Sequence, residues 1–269
     1  MTLEQIIQEV VVVEQHLGSL LNEEGKIAIA QARKDLVGLR GLAGNTGRRR
    51  RKVRLPWSFR IPPGTPLCFG STSISAAVRH RLTIDLFCSI SEPEDGIPLG
   101  EHSLVIRVWT EDASLWYRES MDAPGLRQRI QAAGGRRVMQ RVHFDHANPG
   151  QEGPRFHFQV GGTQHGYEFS WFPENLKLPR FPHYPLSLIT ACEFIVRTFF
   201  PSDYERVAGE ATWIGAVQSA QAAYIEPYFR KLLSLPQSPV LPRSVLNHLW
   251  NPLPSTATVT KSNPRKRLT

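Results

Sequence analysis

His143, Asp145 and His157, flanked by Arg141 and Arg155, put imidazoles, a carboxylate and guanidiniums at spacings that suit acid/base or phosphate chemistry. Val138 to Ala147 and Arg155 to Gly161 alternate apolar and polar side chains on either side of Asn148-Pro149-Gly150-Gln151-Glu152-Gly153-Pro154, a turn composition, and so predict an antiparallel hairpin. Alternation assigns Val138, Val142, Phe144, Phe156, Phe158 and Val160 to one face. It assigns Arg141, His143, Asp145, Arg155, His157 and Gln159 to the other. Two registers keep this facing: His143 opposite His157, or His143 opposite Gln159 with Asp145 opposite His157.

Facing Cβ atoms across such a pair lie about 5 Å apart, so either register gathers two imidazoles, one carboxylate and two guanidiniums. Histidines with a carboxylate can hold a divalent metal, paired arginines can hold a phosphate, and His with Asp can serve as general acid and base. The same alternation also arises in any antiparallel sheet with one wet face and no chemistry at all. The dense set of carboxylates that two-metal nucleases need does not accompany the cluster.

A second feature is charge. The chain carries a formal +8, yet Arg48, Arg49, Arg50, Arg51, Lys52 and Arg54 crowd into one strap, and Lys261, Arg265, Lys266 and Arg267 into the tail. Setting those ten cations aside turns +8 into −2. The basicity therefore belongs to two segments flanking a nearly neutral body, a pattern that suits phosphate contacts on DNA or RNA and equally a solvated charge run. Such contacts position a nucleic acid without reading its bases.

The elements that must position these groups follow from periodicity. Thr2-Leu3-Glu4-Gln5 is a capping-box pattern before an apolar stripe of Leu3, Ile6, Ile7, Val10, Leu17 and Leu21, which predicts an amphipathic helix despite the β-branched run Val10 to Val13. Residues 26 to 40 suggest a second helix, and Pro56, Pro62, Pro63 and Pro66 keep the next stretch extended. Strands are expected at 67 to 79, 82 to 90, 103 to 109, 137 to 147, 155 to 161 and 166 to 172, with a helix at 113 to 133. Leu188, Cys192, Ile195 and Phe199 recur at helical spacing with Glu193 and Arg197 as an i,i+4 pair. A last helix is expected from a cap at Ser202 to Glu205 through to Leu235, kinked at Pro227.

The fold class expected is α+β, an antiparallel β-meander packed by helices. The division expected is a helical N-terminal segment over 1–43, a basic linker over 44–66, an α+β core over 67–235 and a Pro-rich, disordered basic tail over 236–269. No apolar run approaches the roughly 18 to 20 residues that cross a bilayer, and Glu4, Glu9 and Glu14 stand where a signal peptide needs cations. Cys68, Cys88 and Cys192, odd in number and widely spaced, fit a reducing, cytoplasmic setting without a disulfide framework. Cys192 sits on an apolar stripe and reads as core. Trp57, Phe59, Trp109, Trp116, Tyr117 and Trp171 could stack on bases but more often fill cores and interfaces.

The run Val142-His143-Phe144-Asp145, then Pro154-Arg155-Phe156-His157-Phe158-Gln159-Val160-Gly161-Gly162, then Leu178-Pro179-Arg180-Phe181-Pro182 before an apolar helix ending Thr198-Phe199-Phe200, resembles an uncharacterised bacterial family. Its pattern is an H-x-D strand, a Pro-x-x-His strand and a Pro-Arg-x-Pro step. The resemblance covers residues 137 to 201 and matches the family at His143, Asp145, His157 and Arg180. It implies a cytoplasmic bacterial protein of the sort encountered beside mobile-element and antiviral-defence genes. Two functions are expected from all this. One is a non-enzymatic accessory or adaptor protein, without a cofactor, that joins a protein partner in a larger complex and touches DNA or RNA through the basic segments, Arg141 and Arg155. The other is a phosphoesterase or nuclease that uses a divalent metal with His143, Asp145 and His157.

Overall fold

The computed structural model describes residues 2–45, 57–75, 78–94, 97–98, 102–110, 137–146, 154, 156–161 and 180–234. The strap, the tail, the helix expected at 113 to 133, the strand expected at 166 to 172, and the residues Arg155, Trp116, Tyr117 and Trp171 lie outside them.

The architecture is α+β with an antiparallel sheet. Strands β1 (Ser58–Ile61), β2 (Leu67–Ser75), β3 (Val78–Ser91), β6 (His102–Thr110), β7 (Arg137–His146), β8 (Phe156–Val160) and β9 (Phe181–Pro182) form it, while β4 (Pro93–Glu94) and β5 (Ile97–Pro98) make a separate small pair. Its order is β1-β3-β6-β7-β8-β9, and β2 shares the outer edge of β3 with β1. The helices are α1 (Leu3–Leu17), α2 (Glu23–Asn45), α3 (Leu188–Phe199), α4 (Pro201–Ala208), α5 (Ala211–Ala220) and α6 (Glu226–Ser234).

Thr2 and Gln5 cap α1 reciprocally: the Gln5 N–H donates to Thr2 Oγ1 at 3.3 Å and the Thr2 N–H to Gln5 Oε1 at 2.7 Å. This pairs two N–H groups that a helix start leaves open. Val10, Val12 and Val13 stay helical because α1 is buried among α2, α3 and α5, so tertiary burial outweighs their local preference.

The N-terminal helices are not a separate unit. Ile6, Val10, Leu17, Ile29 and Leu36 belong to the same buried cluster as Ile84, Leu86, Leu104, Ile195 and Trp213. The connection between α1 and α2 is laced to the edge of β2, with Asn22 N–H donating to the Cys68 carbonyl at 3.0 Å and Gly70 N–H to that of Leu20 at 2.7 Å. A Cβ at Gly25 would stand 2.3 Å from the Cys68 carbonyl oxygen, so only glycine permits this approach. Part of the expected linker is likewise a strand of the sheet: Phe59 and Ile61 are buried and Ser58 and Arg60 exposed, the alternation of a strand with one face inward.

After α3 the long kinked helix is replaced by three shorter pieces. Pro201 occupies the first turn of α4, where its missing N–H costs nothing, and the expected cap at Ser202 is not used. Just before Pro227, where a kink is expected, Gln221–Ile225 wind as a π-helical turn that ends with Glu226 N–H bonded to the Gln221 carbonyl. Tyr204 stands between the expected Glu193 and Arg197 pair, donating its hydroxyl to Glu193 at 3.1 Å and presenting its ring to the Arg197 guanidinium at 5.7 Å.

Candidate functional site

The hairpin adopts the second of the two registers: His143 faces Gln159, and Asp145 faces His157. Val142, Phe144, Phe156, Phe158 and Val160 share the face turned to the helices, where Phe144 meets Phe194 of α3. Val138 does not join them. An irregularity between the Val108 and Trp109 pairings sets Gln140 opposite Val108 but Val138 opposite Trp109, so Val138 moves to the face of His143.

That second face is not a wet one. His143 and His157 are 8% and 2% exposed, and Asp85, Arg107, Val105 and Trp109 on neighbouring strands are buried as well. Solvated alternation therefore does not describe it, and its polar groups must find partners inside the protein. Asp145 has two: Ser103 Oγ donates to Oδ1 at 2.6 Å across the β6–β7 pair, and Oδ2 faces His143 Nδ1 at 3.5 Å. Burial pushes the Asp145 carboxyl up, but the His143 and Ser103 contacts, with the charges of His143 and His157, outweigh it and hold the group below its ordinary value. His157 Nδ1 lies 3.1 Å from the Pro154 carbonyl, and burial lowers its basicity.

Arg141 faces Arg107 directly across β6 and β7. Burial, relieved by Asp145 and reinforced by Arg107, lowers its pKa to about 10. Arg107 in turn pairs with Asp85 at 3.2 Å, and Trp109 Nε1 donates to the same Oδ2 at 2.6 Å. The Arg107 guanidinium lies 4.7 Å from the Phe87 ring centre and 5.0 Å from that of Trp109. Asp85, Arg107 and Ser103 were readable only as strand alternation, because their partners depend on the register of three strands.

This arrangement turns His143 into an oriented imidazole. Asp145 faces Nδ1, Ser103 fixes Asp145, and Nε2 is buried without a hydrogen-bond partner. Such a pair can move a proton at Nε2. Among the described residues no three His, Cys, Asp or Glu side chains are grouped to hold an ion, and His157 Nδ1 is turned to a backbone carbonyl.

Two further buried groups went unnoticed in the sequence because each sits on an apolar stripe. Glu9 Oε2 accepts from Ile189 N–H, at the start of α3, at 2.9 Å, while Oε1 has no partner. Burial raises its pKa to about 8. His102 Nε2 lies 2.7 Å from the Leu186 carbonyl, and burial lowers its pKa to about 4. The three cysteines are free and buried, and Cys192 packs in the core cluster.

Of the aromatic residues considered for stacking, Trp57, Phe59 and Trp109 are buried. Among the described residues the exposed rings are Phe181, Phe194 and Phe229, which belong to β9, α3 and α6. Among the described residues no helix is long and apolar enough to cross a membrane. No family model matches the chain, and no curated protein or solved structure shows significant similarity to it.

Proposed function

We propose that this chain is a non-enzymatic accessory protein of a larger bacterial complex, one that touches nucleic acid through its basic segments. The observation that carries the reading is the segregation of charge: ten cations lie in the strap and tail, and the remainder of the chain sums to −2. A body of that charge has little general attraction for phosphates, whereas two cationic segments release counterions on binding and gain affinity from it. The hairpin supports the reading in a second way, because Asp145 is engaged by Ser103 and His143 and His157 by the Pro154 carbonyl. Polar groups joined in this manner specify a strand register as readily as they serve a substrate. The family resemblance adds the setting, beside mobile-element or defence genes in a bacterial cytoplasm, with a protein partner. Electrophoretic mobility of labelled DNA and RNA tests the nucleic-acid half: retardation at about 50 mM salt that fades steeply toward 200 mM is expected. Absence of retardation at low salt overturns it, and co-purification from the native host tests for the partner.

One observation favours a second reading. His143 Nε2 is buried and unpartnered while Nδ1 is turned to Asp145, the arrangement of an acid/base imidazole. A phosphoesterase or nuclease built on it loses its activity in His143→Ala and His157→Ala while the fold survives. If no DNA or RNA is cut with or without divalent cations, that reading fails.

A further inference from the structure

We propose that Phe181, Phe194 and Phe229 form a stacking face for single-stranded nucleic acid at the β9 edge of the sheet. The proposal rests on the nucleic-acid reading above and adds to it the place where bases bind and the form of nucleic acid taken.

The three rings are 46%, 42% and 42% exposed, the only exposed phenylalanines among the described residues. Each is backed by another ring. Phe181 stacks on Phe158 with centres 5.1 Å apart and planes 23° from parallel, Phe194 meets Phe144 at 6.1 Å, and Phe229 meets Tyr184 at 6.0 Å. The backing rings are themselves continuous, since His183 contacts Phe144 at 4.9 Å, Phe158 at 5.8 Å and Tyr184 at 4.1 Å. The exposed rings are therefore held in place before anything binds. A base that stacks on them does not have to immobilise a loose side chain.

Charge selects the occupant. Arg180 precedes Phe181, Arg197 follows Phe194 by one helical turn, and Arg230 and Lys231 follow Phe229. The acids on the same elements are Glu193, which takes the Tyr204 hydroxyl, and Glu226, which lies 3.9 Å from Arg230. Cations that neighbour each ring in sequence supply charge for a strand that alternates phosphates with bases, and each base offers a π-face whatever its identity. A duplex hides those faces in its own stack, so the unpaired strand is the form that fits. The ten cations of the strap and tail draw the same ligand toward the protein.

The test uses the full chain and a fluorescent oligo-dT of about 20 nucleotides, with a duplex of equal length for comparison. Phe181→Ala/Phe194→Ala/Phe229→Ala is expected to weaken single-strand binding about tenfold or more and to leave duplex binding unchanged. Thermal melting checks that the triple variant is folded. In a separate variant, Phe181→Trp, the new indole fluorescence falls when oligo-dT is added and not when the duplex is. Undiminished affinity in the triple variant, with binding lost when the six strap cations become Gln, overturns the stacking face and leaves the broader reading standing. Wild-type protein that binds neither form overturns both. A triple variant that keeps its single-strand affinity but loses self-association or a co-purifying protein overturns the proposal in favour of a protein-docking face.

Discussion

Ser103 and Asp145 face each other across β6 and β7, and the serine hydroxyl donates to the carboxylate at 2.6 Å. Asp145 thereby turns its other oxygen to His143, 3.5 Å away, two residues along its own strand. One cross-strand hydrogen bond thus orients the imidazole at the centre of the hairpin.

Asp145→Asn removes the charge that this network is built around. The Asp145 pKa lies below its ordinary value in the folded protein, so its contribution to stability is present above about pH 4 and disappears as pH falls through the folded value. The variant is expected to lose about 1–2 kcal/mol at pH 7 and to converge with the wild type in acid. Urea unfolding at pH 7 and pH 3 checks this.

Glu9 behaves in the opposite sense. Its folded pKa is raised to about 8, mainly by burial, so its favourable contribution is complete below about pH 4.5 and drains away as pH rises toward 8. Glu9→Gln keeps the shape and an acceptor for Ile189 N–H but has no proton to lose. The stability of the variant relative to wild type therefore grows between pH 5 and pH 8, read as a widening difference in Tm. A constant difference across that range contradicts the burial of a protonated carboxyl.

Asp85 and Arg107 are both buried, and each neutralises the other. Asp85→Ala removes the carboxylate that Arg107 pairs with between Phe87 and Trp109, and a loss of about 3–5 kcal/mol is expected. The double variant Asp85→Leu/Arg107→Met recovers most of that loss, because it removes both desolvated charges together. Denaturant midpoints of the single and double variants measure the coupling.

Strands β2, β3, β6, β7 and β8, both N-terminal helices and α3 were legible in the sequence because each rests on local periodicity, whereas β1 lay in the stretch expected as a linker. Leu188, Cys192 and Ile195 announce a buried helical stripe, and all three lie in the core. The candidate site was legible as a set of residues and a choice of two registers, and the structure adopts one of them. What alternation could not supply was the irregularity beside Met139, which transfers Val138 to the other face, or the burial of both sides of the sheet. Nor could it show Glu9 reaching Ile189 or Asp85 reaching Arg107, since those pairings depend on elements distant in the chain. The exposed rings escaped notice for a related reason: Phe181, Phe194 and Phe229 lie far apart in sequence and are linked only through other rings, Phe158, Phe144, His183 and Tyr184.

Binding of nucleic acid by the basic segments carries the proposed function. Fluorescence anisotropy of a labelled oligonucleotide, titrated with wild-type protein and with a variant whose six strap cations are Gln, tests it most directly. The account predicts a salt-dependent affinity, with a slope of log K against log salt that is about four to five smaller in magnitude in the variant. Equal affinity and equal slope for the two proteins would contradict it.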